Sequence, residues 1–284
     1  MAPRTQPLRV GWLTICREPE SIDLFKSVWD AAQRGDINIR IPWLFINRRP
    51  GKSPVTDQLF ALAKELGIPA HWFPAREFKW DLYQKDLGEW TLQCDREYMK
   101  VLDRAAPVDF MVLGRFMHIW GPEACDRYTM LNLHHATPWG PKRSLDEVLW
   151  EHIRNRDAEA GTMLHLTTTD LDRGAPIAYF RFPIGGPGGA RYAPHWKAME
   201  GFTERELQAN GRARGFFNEA KADIYRREKP FVLETLRRLG TGEIVLQGKV
   251  PRFPAETLKW GLDLTDFVEK SLKVPAPAPV LRAA

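Results

Sequence analysis

The chain has 284 residues, of which 44% are hydrophobic and 27% charged, with a net charge of +5. This composition is typical of a folded protein with a sizeable core and excludes an intrinsically disordered chain. The basic residues fit an anionic small ligand, but they interleave with acids and form no long run, so we expect no nucleic-acid partner. No apolar run reaches about 18 residues, so we expect no membrane partner.

The number and spacing of the cysteines indicate the cellular compartment in which the protein is found. Cys16, Cys94 and Cys125 are few, odd in number and far apart, with no Cys-x-x-Cys spacing. Such a set is typical of reduced thiols rather than a disulfide framework or a zinc knuckle. The N-terminal residues lead directly into a strand pattern without the apolar region of a signal peptide. We therefore expect a cytoplasmic protein.

Strand and helix patterns alternate through the first half of the chain. Pro42 indicates that the second strand proper begins after it. Strands separated by helices of this length predict right-handed β-α-β units, and hence an α/β, doubly wound, mostly parallel Rossmann-like sheet. The predicted strands cover residues 8–16, 37–47, 70–73, 109–114 and 130–133, and the predicted helices cover residues 21–34, 57–66 and 87–104.

The pattern changes after residue 144. A helix is predicted at 144–155, strands at 161–169, 177–184 and 243–247, a flexible glycine-rich loop at 185–189, and a largely helical stretch at 202–239 with breaks near 211–215 and at Pro230. We expect a core at 1–184, an insertion at 185–217, a closing helix, strand and helical C-terminal extension at 218–273, and a disordered tail at 274–284. The insertion is predicted to be a lid or a contact in a homodimer.

The sharpest local signal is Asn132-x-His134 at the end of a short apolar strand. Residues i and i+2 of a strand share a face, and ligands of open α/β sheets bind at the carboxyl ends of the strands. An amide there can stabilise an oxyanion, and an imidazole can handle a proton. From spacing alone, an Asn and a His that only satisfy turn hydrogen bonds remain the alternative.

A carboxylate pair follows a later strand. Asp170 and Asp172 lie in a turn with Gly174 and Pro176. An aspartate at this place can orient an imidazole and raise its basicity. The ordinary structural role of Asp in turns stays open as the alternative.

Three segments taken together resemble the formyltransferase family that uses 10-formyltetrahydrofolate, which includes glycinamide ribonucleotide formyltransferase and formyltetrahydrofolate deformylase. The resemblance covers about residues 8–183 and 226–246. The motifs that carry it are Leu113-Gly114-Arg115-Phe116-Met117-His118-Ile119-Trp120, Asn132-Leu133-His134, Gly161-Thr162-Met163-Leu164-His165 and Asp170-Leu171-Asp172-Arg173-Gly174.

The resemblance implies a formyltransferase fold and a catalytic set of Asn132, His134 and Asp172. Asn132 would hydrogen-bond the oxyanion of a tetrahedral intermediate. His134 would stabilise that oxyanion and help to pass protons, and Asp172 would orient His134 and help to move the proton from the amine to N10. The donor would be 10-formyltetrahydrofolate and the acceptor a small-molecule amine, with no metal.

The resemblance also implies a pterin pocket on two segments. Backbone groups there would bind the pterin, and Met117, Ile119 and Trp120 would supply apolar walls. Ordinary core packing is the alternative for each of these apolar side chains. The expected cofactor-binding residues are Arg115, Phe116, Met117, Ile119, Trp120, Leu131, Thr168, Thr169 and Asp170.

The chain departs from the family pattern on the acceptor side. The first strand is followed by Thr14-Ile15-Cys16-Arg17-Glu18-Pro19-Glu20-Ser21, which has no glycine, so backbone amides cannot cradle a phosphate in the same way. This disfavours glycinamide ribonucleotide as the acceptor. Arg17 is either an anion ligand or a surface residue. Hydrolysis of 10-formyltetrahydrofolate to formate and tetrahydrofolate, and non-catalytic folate binding, remain the alternative functions.

Overall fold

The computed structural model describes residues 6–253 and 258–273, and the tail at 274–284 lies outside the described residues. The strands are β1 (Leu8–Thr14), β2 (Ile39–Arg40), β3 (Leu44–Ile46), β4 (Ala70–Trp72), β5 (Phe110–Leu113), β6 (Met130–His134), β7 (Glu159–Leu166), β8 (Pro176–Pro183), β9 (Val245–Gln247), β10 (Val250–Arg252) and β11 (Leu262–Asp263). The helices are α1 (Pro19–Arg34), α2 (Pro54–Glu65), α3 (Trp80–Lys85), α4 (Leu87–Leu102), α5 (Pro122–Arg127), α6 (Leu145–Asn155), α7 (Ala193–Met199), α8 (Glu204–Asn210), α9 (Arg214–Thr241) and α10 (Thr265–Lys273).

The main sheet has the strand order β11-β8-β7-β6-β5-β1-β3-β4, with β2 paired to β1. Strands β1 to β6 pair in parallel, whereas β7 is antiparallel to both β6 and β8. The prediction of an α/β, mostly parallel sheet is therefore confirmed. The reversal at β7 places His165 beside Asn132, and the loop that carries Asp172 begins beside Met130, at the start of β6.

Two hydrophobic clusters cover the two faces of this sheet. Along β5, Phe110 and Val112 belong to the cluster under α1 and α9, while Met111 and Leu113 belong to the cluster under α4 and α5. This alternation is what a strand buried on both faces requires.

The structure confirms one of the two predictions about proline and contradicts the other. Pro42 does divide the second strand, because β2 ends at Arg40 and β3 starts at Leu44. The predicted break at Pro230 is wrong, since α9 runs through it for 28 residues. Pro230 removes one backbone donor, but buried Ile224, Phe231 and Val232 hold the helix on both sides of it.

The glycine-rich stretch and the insertion are more ordered than predicted. A 3-10 helix begins at Pro187, so residues 185–189 are not simply a flexible loop. Within 185–217, Tyr192 is buried and donates a hydrogen bond of 2.6 Å to Asp223 of α9, and Trp196 packs edge-to-face on Phe216. The insertion is thus anchored to α9. Its role as a lid or a contact between copies remains a prediction.

Among residues 6–253 and 258–273, each helix is too short or too polar to span a lipid bilayer.

Candidate active site

The site lies where β5, β6 and β7 meet at the carboxyl end of the parallel strands. Asn132 of β6 is in register with Leu113 of β5 on one side and His165 of β7 on the other. Leu131 and Leu133 point into the cluster under α1 and α9, so Asn132 and His134 point to the opposite face. The strand geometry therefore places the amide and the imidazole on the same side, as their spacing predicts.

Asp172 reaches this face from the loop after β7. Its backbone has a positive φ of 54°, and Gly174 approaches the end of β7 so closely that a Cβ there would overlap the carbonyl oxygen of Leu166. The loop can therefore fold back only with glycine at this position. Asn132 Nδ2 donates to Asp172 Oδ1 at 3.3 Å, and the backbone N–H of Arg143 donates to Oδ2 at 2.8 Å.

His134 is buried and tied to the neighbouring loop. Its Nε2 lies 2.9 Å from the carbonyl oxygen of Pro141, and because a carbonyl only accepts, Nε2 carries the hydrogen. Its Nδ1 faces Asp172 Oδ2 at 3.7 Å, which is too long for a direct hydrogen bond. Burial lowers the pKa of His134 to about 4, although the nearby Asp172 opposes that change. The imidazole is therefore neutral at neutral pH.

His165 is a site residue that sequence reasoning did not select. Its Nδ1 donates to the carbonyl oxygen of Leu166 at 2.9 Å, and its Nε2 lies 3.2 Å from Asn132 Nδ2. The same Nε2 is 3.7 Å from Asp172 Oδ1. The sequence does contain a signal for His165, because this residue ends the Gly-Thr-x-x-His motif. Its contact with Asn132, however, depends on the antiparallel register of β7.

Asp172 is the centre of this group. Burial by itself raises the pKa of its carboxyl, but the contacts with His165, His134 and the Arg143 amide outweigh burial and hold the pKa below its usual value. Asp172 is therefore an anion beside the neutral imidazole of His134 and the imidazole of His165. Such an anion stabilises either imidazole when it takes up a proton.

Polar contacts join the loop after β6 to the loop after β7, over His134. Besides the Arg143 amide bond, Arg173 donates to the carbonyl oxygen of Gly140 at 3.2 Å, and Lys142 pairs with Asp170 at 3.2 Å. Residues 137–143 thus cover the imidazole edge that holds Nε2. Asp170 is exposed and engaged in this contact, and the predicted ligands Thr168 and Thr169 precede it on the same loop, half-buried and exposed.

The segment predicted to hold a pterin has an inner and an outer face. Phe116 and Trp120 stack on each other in the cluster under α4 and α5, and Trp120 is only 2% exposed. Both side chains are packed in the core, so the outer face of the segment carries neither of them, and the assignment of Trp120 to a pterin wall stays a prediction. Met117 and Ile119 point outward, with 55% and 49% exposure.

His118 holds the segment in the orientation that turns Phe116 and Trp120 inward and Met117 and Ile119 outward. Its Nε2 lies 2.5 Å from Asp95 Oδ1, and the other carboxylate oxygen accepts the backbone N–H of Gly121 at 2.6 Å. Because this pair is buried, His118 and Asp95 hold the segment against the core. Leu131 is fully buried in the opposite cluster, so its side chain does not face the same surface as Asn132.

Arg115 is bound to residues of α9. Its Nη2 and Nε donate to Glu228 Oε2 at 2.5 and 3.1 Å, and its guanidinium covers the Tyr225 ring at 3.7 Å. Glu228 Oε1 lies 2.6 Å from His135 Nε2. Burial alone would raise the pKa of Glu228, but His135 and Arg115 hold it below its usual value.

The Arg115 and Glu228 pair borders a cavity of about 370 Å³ between α1 and α9. This volume is in the range of small-molecule sites. The cavity is lined by Glu20, Asp23, Leu24, Arg115, Tyr225, Arg226, Glu228 and Lys229.

Within residues 6–253 and 258–273, no group of three or more His, Cys, Asp or Glu side chains is arranged to hold a metal ion. The polar side chains that meet at the site are those of Asn132, His134, His165 and Asp172.

The fold is that of the formyltransferases: a mixed, mostly parallel sheet closed by the long helix α9. Similar solved structures are phosphoribosylglycinamide formyltransferase from Coxiella burnetii (TM-score 0.60, 18% identity, 91% of this chain and 99% of that chain) and formyltetrahydrofolate deformylase from Burkholderia mallei (TM-score 0.53, 17% identity, 88% of this chain and 71% of that chain). In sequence, the chain is 34% identical over 92 residues to phosphoribosylglycinamide formyltransferase of Escherichia coli (strain K12).

That aligned stretch is 32% of this chain and 42% of the Escherichia coli protein, so the match spans less than half of the relative. No protein-family model matches the chain. The resemblance to the formyltransferase family that the motifs carried is confirmed by these neighbours. They include both transferases and deformylases.

Proposed function

We propose that this protein transfers a formyl group from 10-formyltetrahydrofolate to the primary amine of a small-molecule acceptor. The observation that supports this most is the meeting of Asn132, His134 and Asp172 on one face at the carboxyl edge of the sheet. In this fold, that is the edge where ligands bind.

The chemistry begins with attack of a neutral amine on the formyl carbon bound to N10. The carbonyl oxygen becomes an oxyanion, and Asn132 Nδ2 is the donor placed beside it. The present bonds of Nδ2 to Asp172 and His165 are long, at 3.3 and 3.2 Å. One of them can be exchanged for the stronger bond that a charged oxygen accepts.

Proton movement completes the transfer. The attacking nitrogen loses a proton, the bond between the formyl carbon and N10 breaks, and N10 gains a proton. His134 is neutral at working pH and has a free acceptor at Nδ1 next to the Asp172 carboxylate. A proton taken up by His134 is stabilised by Asp172, which makes the pair a suitable carrier.

His134 needs one rearrangement to act directly on the oxyanion. Its Nε2–H is engaged by the Pro141 carbonyl in this structure. We propose that substrate binding displaces residues 137–143, because Arg173, Lys142 and the Arg143 amide hold that loop through polar contacts that are partly exposed. Loop motions of this kind are common in enzymes that exclude water from a reactive group.

The pterin is proposed to lie against the outer face of the 114–120 segment and the 168–172 loop. Met117 and Ile119 supply exposed apolar surface there, and backbone groups of Thr168 and Thr169 supply donors and acceptors. The cytoplasm is the proposed location, since Cys16, Cys94 and Cys125 are all unpaired thiols.

The function is tested by incubating the protein with 10-formyltetrahydrofolate, first alone and then with a panel of primary amines. We expect slow release of formate alone and rapid formation of a formamide with one class of amine. Fast release of formate without an amine would show that the protein is a hydrolase and not a transferase. Binding of a folate analogue without any turnover would leave a folate-binding protein.

A further inference from the structure

The ends of two strands at the candidate site are held by one side chain of α9. The Glu228 side chain is 1% exposed, and each of its carboxylate oxygens has its own partner. Oε1 lies 2.6 Å from His135 Nε2, whereas Oε2 accepts the Arg115 guanidinium at 2.5 and 3.1 Å. Because an ionised carboxylate only accepts hydrogen bonds, His135 Nε2 carries the hydrogen of this contact. Glu228 therefore bridges two separate segments of the chain.

These two segments carry the two halves of the candidate site. Arg115 follows β5 and belongs to the 114–120 segment, whose outer face is the proposed pterin surface. His135 directly follows His134 at the end of β6. Since β5 and β6 are neighbouring parallel strands, the two segments leave the sheet side by side. One carboxylate thus ties the segment proposed to hold the formyl donor to the strand proposed to act on it.

The backbone at Arg115 depends on contacts of this kind. Its φ is 60°, a left-handed conformation that residues other than glycine hold only where the surrounding structure supports it. The guanidinium lies over the Tyr225 ring, 3.7 Å from its centroid, and the carbonyl oxygen of Arg115 accepts the N–H of Ile15 at 3.3 Å. Tyr225 and Glu228 both belong to α9. The helix therefore supports the turn with which the 114–120 segment leaves β5.

The charge of Glu228 makes both contacts necessary. Burial by itself raises the pKa of the carboxyl, but His135 and Arg115 hold it below its usual value, so Glu228 is an anion. A buried anion that loses a donor is strongly disfavoured, so the carboxylate holds both segments at once. In Glu228→Gln, one carboxylate oxygen becomes an NH₂ group, which faces a donor and cannot accept from it.

We propose that Glu228 is a positioning residue for the transfer, because it sets the spacing between the 114–120 segment and the pair Asn132 and His134. This role rests on the proposed function, since it needs a donor bound on that segment. Glu228 acts through Arg115 and His135 and not on the reacting atoms. A displacement of ~1 Å between reacting groups can lower a rate on the order of 100-fold, so the spacing is a sensitive quantity.

Glu228→Gln and Glu234→Gln form a matched pair. Glu234 is also a buried glutamate of α9 that binds two arginines, at 2.8 and 2.7 Å, but both arginines lie on α9 itself. We expect Glu228→Gln to lower kcat about 20-fold or more and the affinity for a folate analogue about threefold or more. Glu234→Gln should keep both values within about twofold of the wild type. With both variants folded by circular dichroism, equal kinetics in the pair would overturn the proposal.

His135→Leu and His135→Gln distinguish positioning from a general loss of structure. His135→Leu releases the end of β6 and leaves the Arg115 contact in place. We expect kcat to fall about tenfold or more while folate-analogue affinity stays within about twofold. His135→Gln keeps an N–H donor for Glu228 and should recover kcat to within about threefold of the wild type. A parallel fall of kcat and affinity in His135→Leu, or no recovery in His135→Gln, would contradict the role of Glu228.

NMR of the protein labelled with 15N-histidine tests the bridge without any substrate. In Glu228→Gln, the ring resonances of His134 and His165 are expected to shift together with those of His135, whereas Glu234→Gln should leave all three unchanged. A shift confined to His135 would overturn the proposal even in a protein that transfers no formyl group. Absence of folate binding and of turnover in the wild type would instead count against the proposed function.

Discussion

Two polar regions at the same edge of the sheet are built in opposite ways. Around Asp172, the side chains of His134 and His165 are buried, that of Asn132 is half-buried, and all three are bonded to one another or to the backbone. Around Arg17, the charges of Arg76 and Arg48 lower the pKa of an exposed guanidinium. The polar groups of the first region are paired with one another, whereas the second region brings like charges close enough to repel.

Between the two regions lies the Arg115 and Glu228 pair, whose side chains are 8% and 1% exposed. Glu228→Leu leaves a buried guanidinium without its partner, and we expect a loss of about 3 to 5 kcal/mol in the free energy of unfolding. Urea unfolding would measure it. The double variant R115L/E228L is expected to recover most of the loss, because neither charge is then buried alone.

The exposed pair Arg34 and Asp36 is the control for that experiment. Asp36→Leu is expected to change stability by less than about 1 kcal/mol, as exposed pairs do. If Glu228→Leu lowered the free energy of unfolding no more than Asp36→Leu does, the Arg115 and Glu228 pair would behave like an exposed ion pair and not like a buried one.

Asn132→Ala tests the preorganised region through its rate. Removing an oxyanion donor typically lowers kcat by about two to three orders of magnitude. We expect that fall in kcat with folate-analogue affinity unchanged, measured by steady-state kinetics and a binding titration. A change in KM alone would place Asn132 in ground-state binding.

The low pKa of His134 makes stability depend on pH. The pKa falls from 6.5 to about 4 on folding because of burial. Between these values the unfolded chain binds more protons than the folded protein, so stability falls as pH falls. From pH 7 to pH 5 this contributes a loss of about 2 kcal/mol. His134→Gln should remove that part of the pH dependence in urea unfolding, and an unchanged profile would show that His134 is not buried neutral.

The smallest expected effect concerns the outer face of the predicted pterin segment. Met117→Ala removes exposed apolar surface, so stability should change by less than about 0.5 kcal/mol, while folate-analogue affinity falls several-fold, or about 1 kcal/mol. Val250→Ala, a change at another exposed apolar residue, on β10, is the control and should leave affinity unaltered. Equal affinity in Met117→Ala would remove this surface from the pterin site.

The sequence predicted what depends on local periodicity and short motifs. Asn132 and His134 share a face because they lie two residues apart in β6, and the alternating patterns located nearly every strand of the main sheet. Pro230 was misjudged because local helix rules do not include the packing of α9 on the sheet. The apolar character of Trp120 predicts burial and ligand contact equally well.

Contacts between residues that are far apart in the sequence could not be predicted from local patterns. His165 meets Asn132 only through the antiparallel register of β7, and Arg115 meets Glu228 across 113 residues. The cluster of Arg17, Arg48 and Arg76 likewise needs three strands to be placed side by side. One-dimensional spacing carries no information about these pairings.

The central claim is that the Asn132, His134 and Asp172 group moves a formyl group from a folate. Single-turnover transfer of a 13C-labelled formyl group from 10-formyltetrahydrofolate, followed by NMR, tests it most directly in the wild type, Asp172→Asn and His152→Ala. His152 is the control because its buried imidazole pairs with the half-buried Asp157 at 2.7 Å, outside the site. We predict label transfer in the wild type and His152→Ala and a loss of at least 100-fold in Asp172→Asn; equal rates in all three proteins would contradict the account.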